Sequence, residues 1–230
     1  MTLKDDLTAF TRDTFYSAWD ERDGRKVPDD TSLTLKNEAI KIDGAILYAD
    51  LADSTVMVDK FKNWFAAEIY KTYLYCCARI ITAEGGTVTA YDGDRIMGVF
   101  IGDEKENDAT RTALKIKWAV DEIIMPLLKE RYKGTDFTLN HVVGIDASPL
   151  YVAKTGTRTA NDLVWVGRAA NYAAKLSSLP ASYIYITAAV FNKLKDGLKT
   201  SKGNAMWRAV TWNTFNNATI YRTTYRITMG

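Results

Sequence analysis

Histidine is nearly missing from this chain. Among 230 residues there is one, His141, and there are two cysteines, Cys76 and Cys77, which are neighbours in sequence. So few ligands of these types exclude a structural zinc site. Adjacent cysteines rarely bridge each other, so no disulfide framework is expected and a reducing cytoplasm is the expected compartment. Long apolar runs are missing too. No stretch approaches the ~18 consecutive apolar residues of a membrane span, and residues 1–6 lack the charged-then-apolar pattern of a secretory signal. The sequence thus predicts a soluble protein without a membrane partner. Charge of one sign is also in short supply: 30 Lys and Arg stand against 28 Asp and Glu, for a net charge of +2. The charges are interspersed, so no basic tract argues for a nucleic-acid partner. Neither a GxxxxGK[ST] loop nor a dinucleotide glycine fingerprint is present, so any phosphate site must use another geometry.

What is present is an ordinary globular composition, 47% hydrophobic and 25% charged. Leu7, Phe10, Phe15, Ala18 and Trp19 fall at roughly helical spacing in residues 3–21. A polar stretch with Gly24 and Pro28 follows and reads as a linker, so residues 1–38 are expected to form a helical appendage and residues 39–230 the main domain. From about residue 40, strands and helices alternate. A strand over 45–51 ends in Asp50. Asp53, Ser54 and Thr55 offer N-cap chemistry to one long helix, in which Met57, Phe61, Phe65, Ile69 and Tyr73 recur at three- and four-residue spacing. Gly85 and Gly86 end it, and strands over 87–91 and 96–101 flank Asp92-Gly93, a hairpin signal. A helix over 105–132 carries Pro126 as a kink or break. Further strands are expected near 138–146, 149–154, 183–187, 206–211 and 219–228, with helices at 168–179 and 188–196. This order predicts an α+β sandwich, a mixed sheet covered by helices.

Two aspartates stand where strands end. Asp50 closes one strand and Asp94 follows the hairpin turn. If the strands are neighbours, the carboxylates converge on divalent ions, for which oxygen ligands suit magnesium or manganese. The segment from Leu51 to Thr55 joins a strand to a helix N-terminus, whose N–H groups and dipole suit phosphate.

Taken together these pieces resemble the class III adenylate and guanylate cyclase catalytic domain. Ile46-Leu-Tyr-Ala-Asp50 resembles that family's first strand, and Gly93-Asp94 through Phe100 its hairpin. Val143-Gly-Ile-Asp-Ala-Ser148 and Gly167-Arg-Ala-Ala-Asn-Tyr-Ala-Ala-Lys-Leu176 resemble two later motifs. The ordered set spans residues 45–180. It implies a ferredoxin-like palm in a head-to-tail homodimer with composite sites, and two divalent ions, Mn2+ or Mg2+, as cofactors. One subunit would supply Asp50, the Leu51 carbonyl and Asp94 to metal, and Ser54, Thr55 and Arg158 to phosphate. The other would supply Asn171 to the ribose and Lys175 to the transition state. The reaction implied is attack of the 3′-hydroxyl of a nucleoside triphosphate on its α-phosphorus.

Three positions depart from that pattern. Lys175 stands where the family has arginine, keeping the charge but losing the planar fork. Ala90 and Val164 stand where adenylate cyclases read adenine with lysine and aspartate, and neither makes polar contacts to a purine. Tyr48 shares a strand face with Asp50 and narrows the pocket, while Asp92 and Trp165 are further candidates for base contact. A short cyclase without the purine-reading pair resembles the pyrimidine cyclases of bacterial Pycsar anti-phage defence. That resemblance implies a cyclic UMP product, or else cyclic CMP, which activates a separate effector. Alternatives are a purine cyclase, an inactive nucleotide-binding module, and a diguanylate cyclase palm suggested by Gly85-Gly86 and Asp94.

Overall fold

The fold is organised by two long antiparallel strands. In a computed structural model, which describes residues 2–229, β2 (Glu38–Leu51) and β5 (His141–Gly156) pair along Ala39–Leu51 and Ala153–His141. Around them run α1 (Leu3–Tyr16), β1 (Asp20–Asp23), α2 (Ser54–Lys60), α3 (Asn63–Ala83), β3 (Thr87–Asp92), β4 (Arg95–Ile101), α4 (Lys105–Ala119), α5 (Met125–Arg131), β6 (Asn161–Val166) and α6 (Arg168–Leu176). The chain continues through β7 (Ile184–Thr187), α7 (Ala188–Lys193), α8 (Asp196–Lys199), the two-residue strands β8 (Thr200–Ser201) and β9 (Asn204–Ala205), β10 (Arg208–Trp212) and β11 (Ala218–Thr223).

The main sheet runs β10-β11-β7-β5-β2-β4-β3. Its core, β5-β2-β4-β3 with α3 and α4 on one face, is the ferredoxin-like arrangement of two βαβ halves. β2 and β5 each change neighbours along their length. β2 pairs with β4 from Gly44 to Asp50 and with β1, in parallel, from Glu38 to Lys41. β5 pairs with β7 at Val143–Ile145 and with β6 from Tyr151 to Gly156. The segment expected to be a linker therefore contributes a sheet strand, and β1-β2-β5-β6 form an arm at the end away from Asp50.

Alternation along β2 sorts the two cores. Ala45, Leu47, Ala49 and Leu51 face α3 and α4, packed with Phe65, Tyr73, Ile81, Leu114 and Ile116. Ile46 points to the opposite face, with Met97, Val99, Val152 and the alanines of α6. Burying these aliphatic side chains at about 25 cal/mol per Å2 is the main stabilising term. Several elements differ from expectation. The expected single helix over 53–83 breaks at Phe61 and Lys62, the two strands at 138–154 are one, β6 was not anticipated, and the 105–132 helix passes Pro126 through a π-helical turn, Val120–Ile124. That turn, closed by Met125 N–H to Val120 O, sits just ahead of the proline. No helix among the described residues is long and apolar enough to cross a membrane.

Candidate active site

The site begins where β2 and the β3–β4 hairpin end together. Asp50 and Asp92 both lie opposite Arg95, so Gly93 and Asp94 are the two loop residues of the hairpin, one position later than the sequence suggested. Gly93 takes φ +62, a left-handed conformation that glycine adopts without a Cβ penalty. This tight loop carries Asp94 to the side of Asp50. Burial above all, and then the charge of Asp94, push the Asp50 carboxyl up to about 6, with Arg95 opposing. Asp94 Oδ2 is buried without a hydrogen-bond partner. Two carboxylates that repel, one with an orphaned oxygen, fit a hard divalent cation. No group of three or more His, Cys, Asp or Glu residues able to hold a metal occurs among the described residues. A cation at this pair would complete its shell with main-chain carbonyls, water or substrate. The Leu51 side chain is buried in the core, so only its carbonyl can serve.

The phosphate segment is shaped differently from expectation. Asp53 is the N-cap of α2 in a left-handed conformation, φ 59 and ψ 26, and its side chain makes no capping bond. The expected side-chain cap is thus replaced by a backbone turn, with Ser54 half-buried and Thr55 exposed at the start of a seven-residue helix. Arg158 is not brought to this place within one protomer. It lies in the loop joining β5 to β6, whereas Asp50 pairs with Val142 at the other end of β5. Some 14 residues at ~3.3 Å each separate the two ends.

Beside Asp50 on the same sheet face lie Tyr48 and, across β4, Ala90, both packed against the cluster that holds Met97, whereas Trp165 on β6 pairs with Val152 and joins that cluster in the arm away from Asp50. A bulge between Val88 and Ala90 switches Ala90 onto this face. The Arg95 guanidinium lies 5.1 Å from the centre of the Tyr48 ring and donates to Asp92 Oδ2 at 2.6 Å. Its Nε is buried with no partner. Burial also raises the Tyr48 hydroxyl above its ordinary range. Val164 instead lies exposed on β6 and is not part of this cluster. Arg95 escaped the sequence reading, although the period-2 alternation of Arg95, Met97 and Val99 places it on the Tyr48 face.

Asn171 and Lys175 sit one turn apart on α6, both exposed, while Ala169, Ala170, Ala173 and Leu176 bury the other side. The two polar residues therefore point away from their own sheet. At the C-terminal end, Lys175 Nζ lies 4.6 Å from the centre of the Phe215 ring. Of the C-terminal arginines, Arg226 pairs with Asp121 and Glu122 at 2.7 Å each, and Arg222 lies 4.2 Å from the Tyr183 ring.

No model of a described protein family matches the chain. Its fold is similar to the crystal structure of the adenylyl cyclase CyaB from P. aeruginosa, with a TM-score of 0.68 over 84% of this chain and 100% of that one. At 20% identity that likeness speaks for the fold alone. Sequence relatives say more. The chain is 66% identical to a uridylate cyclase of Xanthomonas perforans over 98% of both chains, and 49% identical to a uridylate cyclase of Burkholderia cepacia over 93% of both. Relatives so similar along nearly the whole length place the chain in the uridylate cyclase family.

Proposed function

We propose that this protein is a homodimeric uridylate cyclase, converting UTP to 3′,5′-cyclic UMP and pyrophosphate. The observation that carries the base assignment is the buried, unpaired Arg95 Nε beside Tyr48. Arginine only donates hydrogen bonds, so an unpaired Nε on this wall favours a base edge rich in carbonyls. Uracil offers two carbonyls, whereas cytosine replaces one of them with an amine. Ala90 leaves the purine-reading position without a polar group, and a site lacking hydrogen bonds to an alternative substrate discriminates against it strongly.

Asp50 and Asp94, with the Leu51 carbonyl, would hold magnesium or manganese. Bound there, such cations supply charge neutralisation for the triphosphate and activation of the 3′-hydroxyl. The chain's own residues then do the positioning. Asn171 orients the ribose, and the backbone from Leu51 to Thr55 lines the phosphates. Lys175 stabilises the negative charge that grows as the 3′-oxygen bonds to the α-phosphorus and the bond to pyrophosphate breaks. Because Asn171 and Lys175 face away from their own sheet, they serve the aspartates of a partner subunit, and so does Arg158 from the tip of its hairpin. Residues 1–38 remain an appendage to the catalytic domain at 39–230, joined to it through β1. The product acts at a distance, as the messenger that activates an effector in anti-phage defence.

The test is a four-substrate panel. Purified protein is incubated with manganese and each NTP, and the products are resolved by mass. UTP is expected to give the largest kcat/KM, and Arg95→Ala to lower it at least ~10-fold by removing a buried base contact. Preference for ATP or GTP would overturn the base assignment, and no product from any NTP would overturn the enzyme itself.

A further inference from the structure

Lysine is a poor replacement for arginine in a transition-state clamp, because its ammonium is a single point on a flexible four-carbon stem, whereas guanidinium is a rigid fork. A chain that uses lysine gains from a second group that restricts that stem. The structure holds one. Phe215 is the middle residue of the five-residue loop between Trp212, which pairs with Ala218, and the start of β11. The loop is closed by Phe215 N–H to Trp212 O and by Ala218 N–H to Phe215 O, both at 3.0 Å, and Asn216 and Asn217 turn it at φ 52 each. This geometry folds the Phe215 ring back over α6. There it stacks on Trp212 at 4.7 Å and meets Tyr172 edge-on at 4.5 Å. Trp212 is itself 4% exposed, and it too packs edge-on against Tyr172, at 5.6 Å. The result is a rigid aromatic platform, with Lys175 Nζ 4.6 Å from the Phe215 ring centre.

We infer that Phe215 is a positioning residue for the cyclisation step: its ring face holds the Lys175 ammonium by a cation–π contact, giving lysine the direction that arginine would have by itself. The inference rests on the proposed role of Lys175. The electrostatics suit it, since a cation within ~6 Å of a ring centre is attracted to the negative face of the ring, which restricts the lysine stem. No carboxylate pairs with Lys175 among the salt bridges of the described residues, so Phe215 does not compete with a neutralising partner there. The contact also assigns a task to the β10–β11 loop, whose sequence carries no lysine of its own between Thr211 and Thr223.

A double-mutant cycle tests this in the full-length protein with manganese and UTP. Phe215→Leu keeps apolar bulk and removes the ring face. It is expected to lower kcat roughly 5- to 10-fold, where tenfold corresponds to about 1.4 kcal/mol of transition-state stabilisation, and to leave KM within twofold. Phe215→Trp restores kcat, because indole presents a stronger face to a cation. In a Lys175→Ala background, Phe215→Leu has no further effect. Lysines carrying 13C-methyl labels give a second readout: the Lys175 resonance, assigned by its loss in Lys175→Arg, is shifted upfield by the ring and returns in Phe215→Leu. Equal losses in both backgrounds, or an unshifted Lys175 resonance, overturn the inference. Unchanged kcat in Lys175→Ala alone overturns the reading of Lys175 on which it stands.

Discussion

Asp50 is destabilising in the state where it is most useful. Its carboxyl is pushed up to about 6, mainly by burial and then by Asp94, against an ordinary 3.8. A carboxyl that holds its proton more tightly when folded contributes stability that is full below about pH 4 and lost as pH rises through 6. At pH 7.5 the metal-free protein therefore bears an ionised, half-buried Asp50 that the Asp94 charge disfavours. Asp50→Asn is expected to be the more stable protein there, by about 1–2 kcal/mol after discounting for a half-exposed group, and to lose that advantage by pH 4. Manganese at pH 7.5 should raise the thermal midpoint of the native protein and not of Asp50→Asn. Equal midpoints at pH 7.5, with the same manganese shift in both proteins, contradict a metal site at Asp50. This pair was legible in the sequence because a strand end and a glycine turn are local signals. Arg95 was not, because its meaning comes from Tyr48, two strand positions away across the β2–β4 register.

At the scale of elements, one glycine decides where α6 sits. A Cβ at Gly144 would lie 2.3 Å from Ala173 O and 2.7 Å from Leu176 Cβ on α6, and 2.6 Å from N of its C-cap, Ser177. Two of these are backbone atoms, so a rotamer change cannot relieve the clash. Arg168 ties the start of α6 to buried Asp146 on β5, at 2.9 Å, and Ala169 N–H donates to Ser148 Oγ at 2.9 Å. The helix is thus pinned at one end and crosses β5 without clearance at the other. Gly144→Ala is expected to cost roughly 2–3 kcal/mol in thermal stability by overpacking. Because α6 carries Asn171 and Lys175, kcat should also fall at least ~10-fold. A variant with native midpoint and native kcat would disprove the close crossing. The sequence marked the glycine within a motif but not its reason, which lies in a contact between residues some thirty positions apart. Other misreadings have the same origin. The strands expected at 138–146 and 149–154 run on as one through Pro149, which falls where β5 has passed β7 and not yet met β6, and an edge unpaired on that side tolerates proline. The helix over 53–83 breaks so that Phe61 packs on Phe65 at 4.9 Å and Phe137 at 5.3 Å, a tertiary contact overriding local helical preference.

For the whole molecule, the question is how outward-facing residues meet inward-facing ones. Asp50 and Asp94 are half-buried at the hairpin end of the sheet, whereas Asn171 and Lys175 are exposed on the far side of α6. A two-fold dimer resolves this, because each subunit then presents its aspartates to the other's α6 and both sites are equivalent. The arrangement makes a quantitative prediction about mixtures. Asp50→Ala and Asn171→Ala chains are each inactive alone, since every homodimer carries the same defect in both sites. On mixing, about half of the dimers pair one chain of each kind, and in each of these one site receives both lesions while the other receives none. Activity is therefore expected to recover to about 25% of native, the product of one half and one half. Chains are exchanged by partial denaturation and refolding, and mixed dimers are verified by native mass spectrometry with differently tagged chains. Recovery near that level identifies sites built from two subunits. No recovery in verified mixed dimers places Asp50 and Asn171 in one protomer's site, and α6 would then have to swing its polar face toward its own sheet. That movement would tear Ala169, Ala170, Ala173 and Leu176 from the core, four of the residues whose burial holds the helix in place.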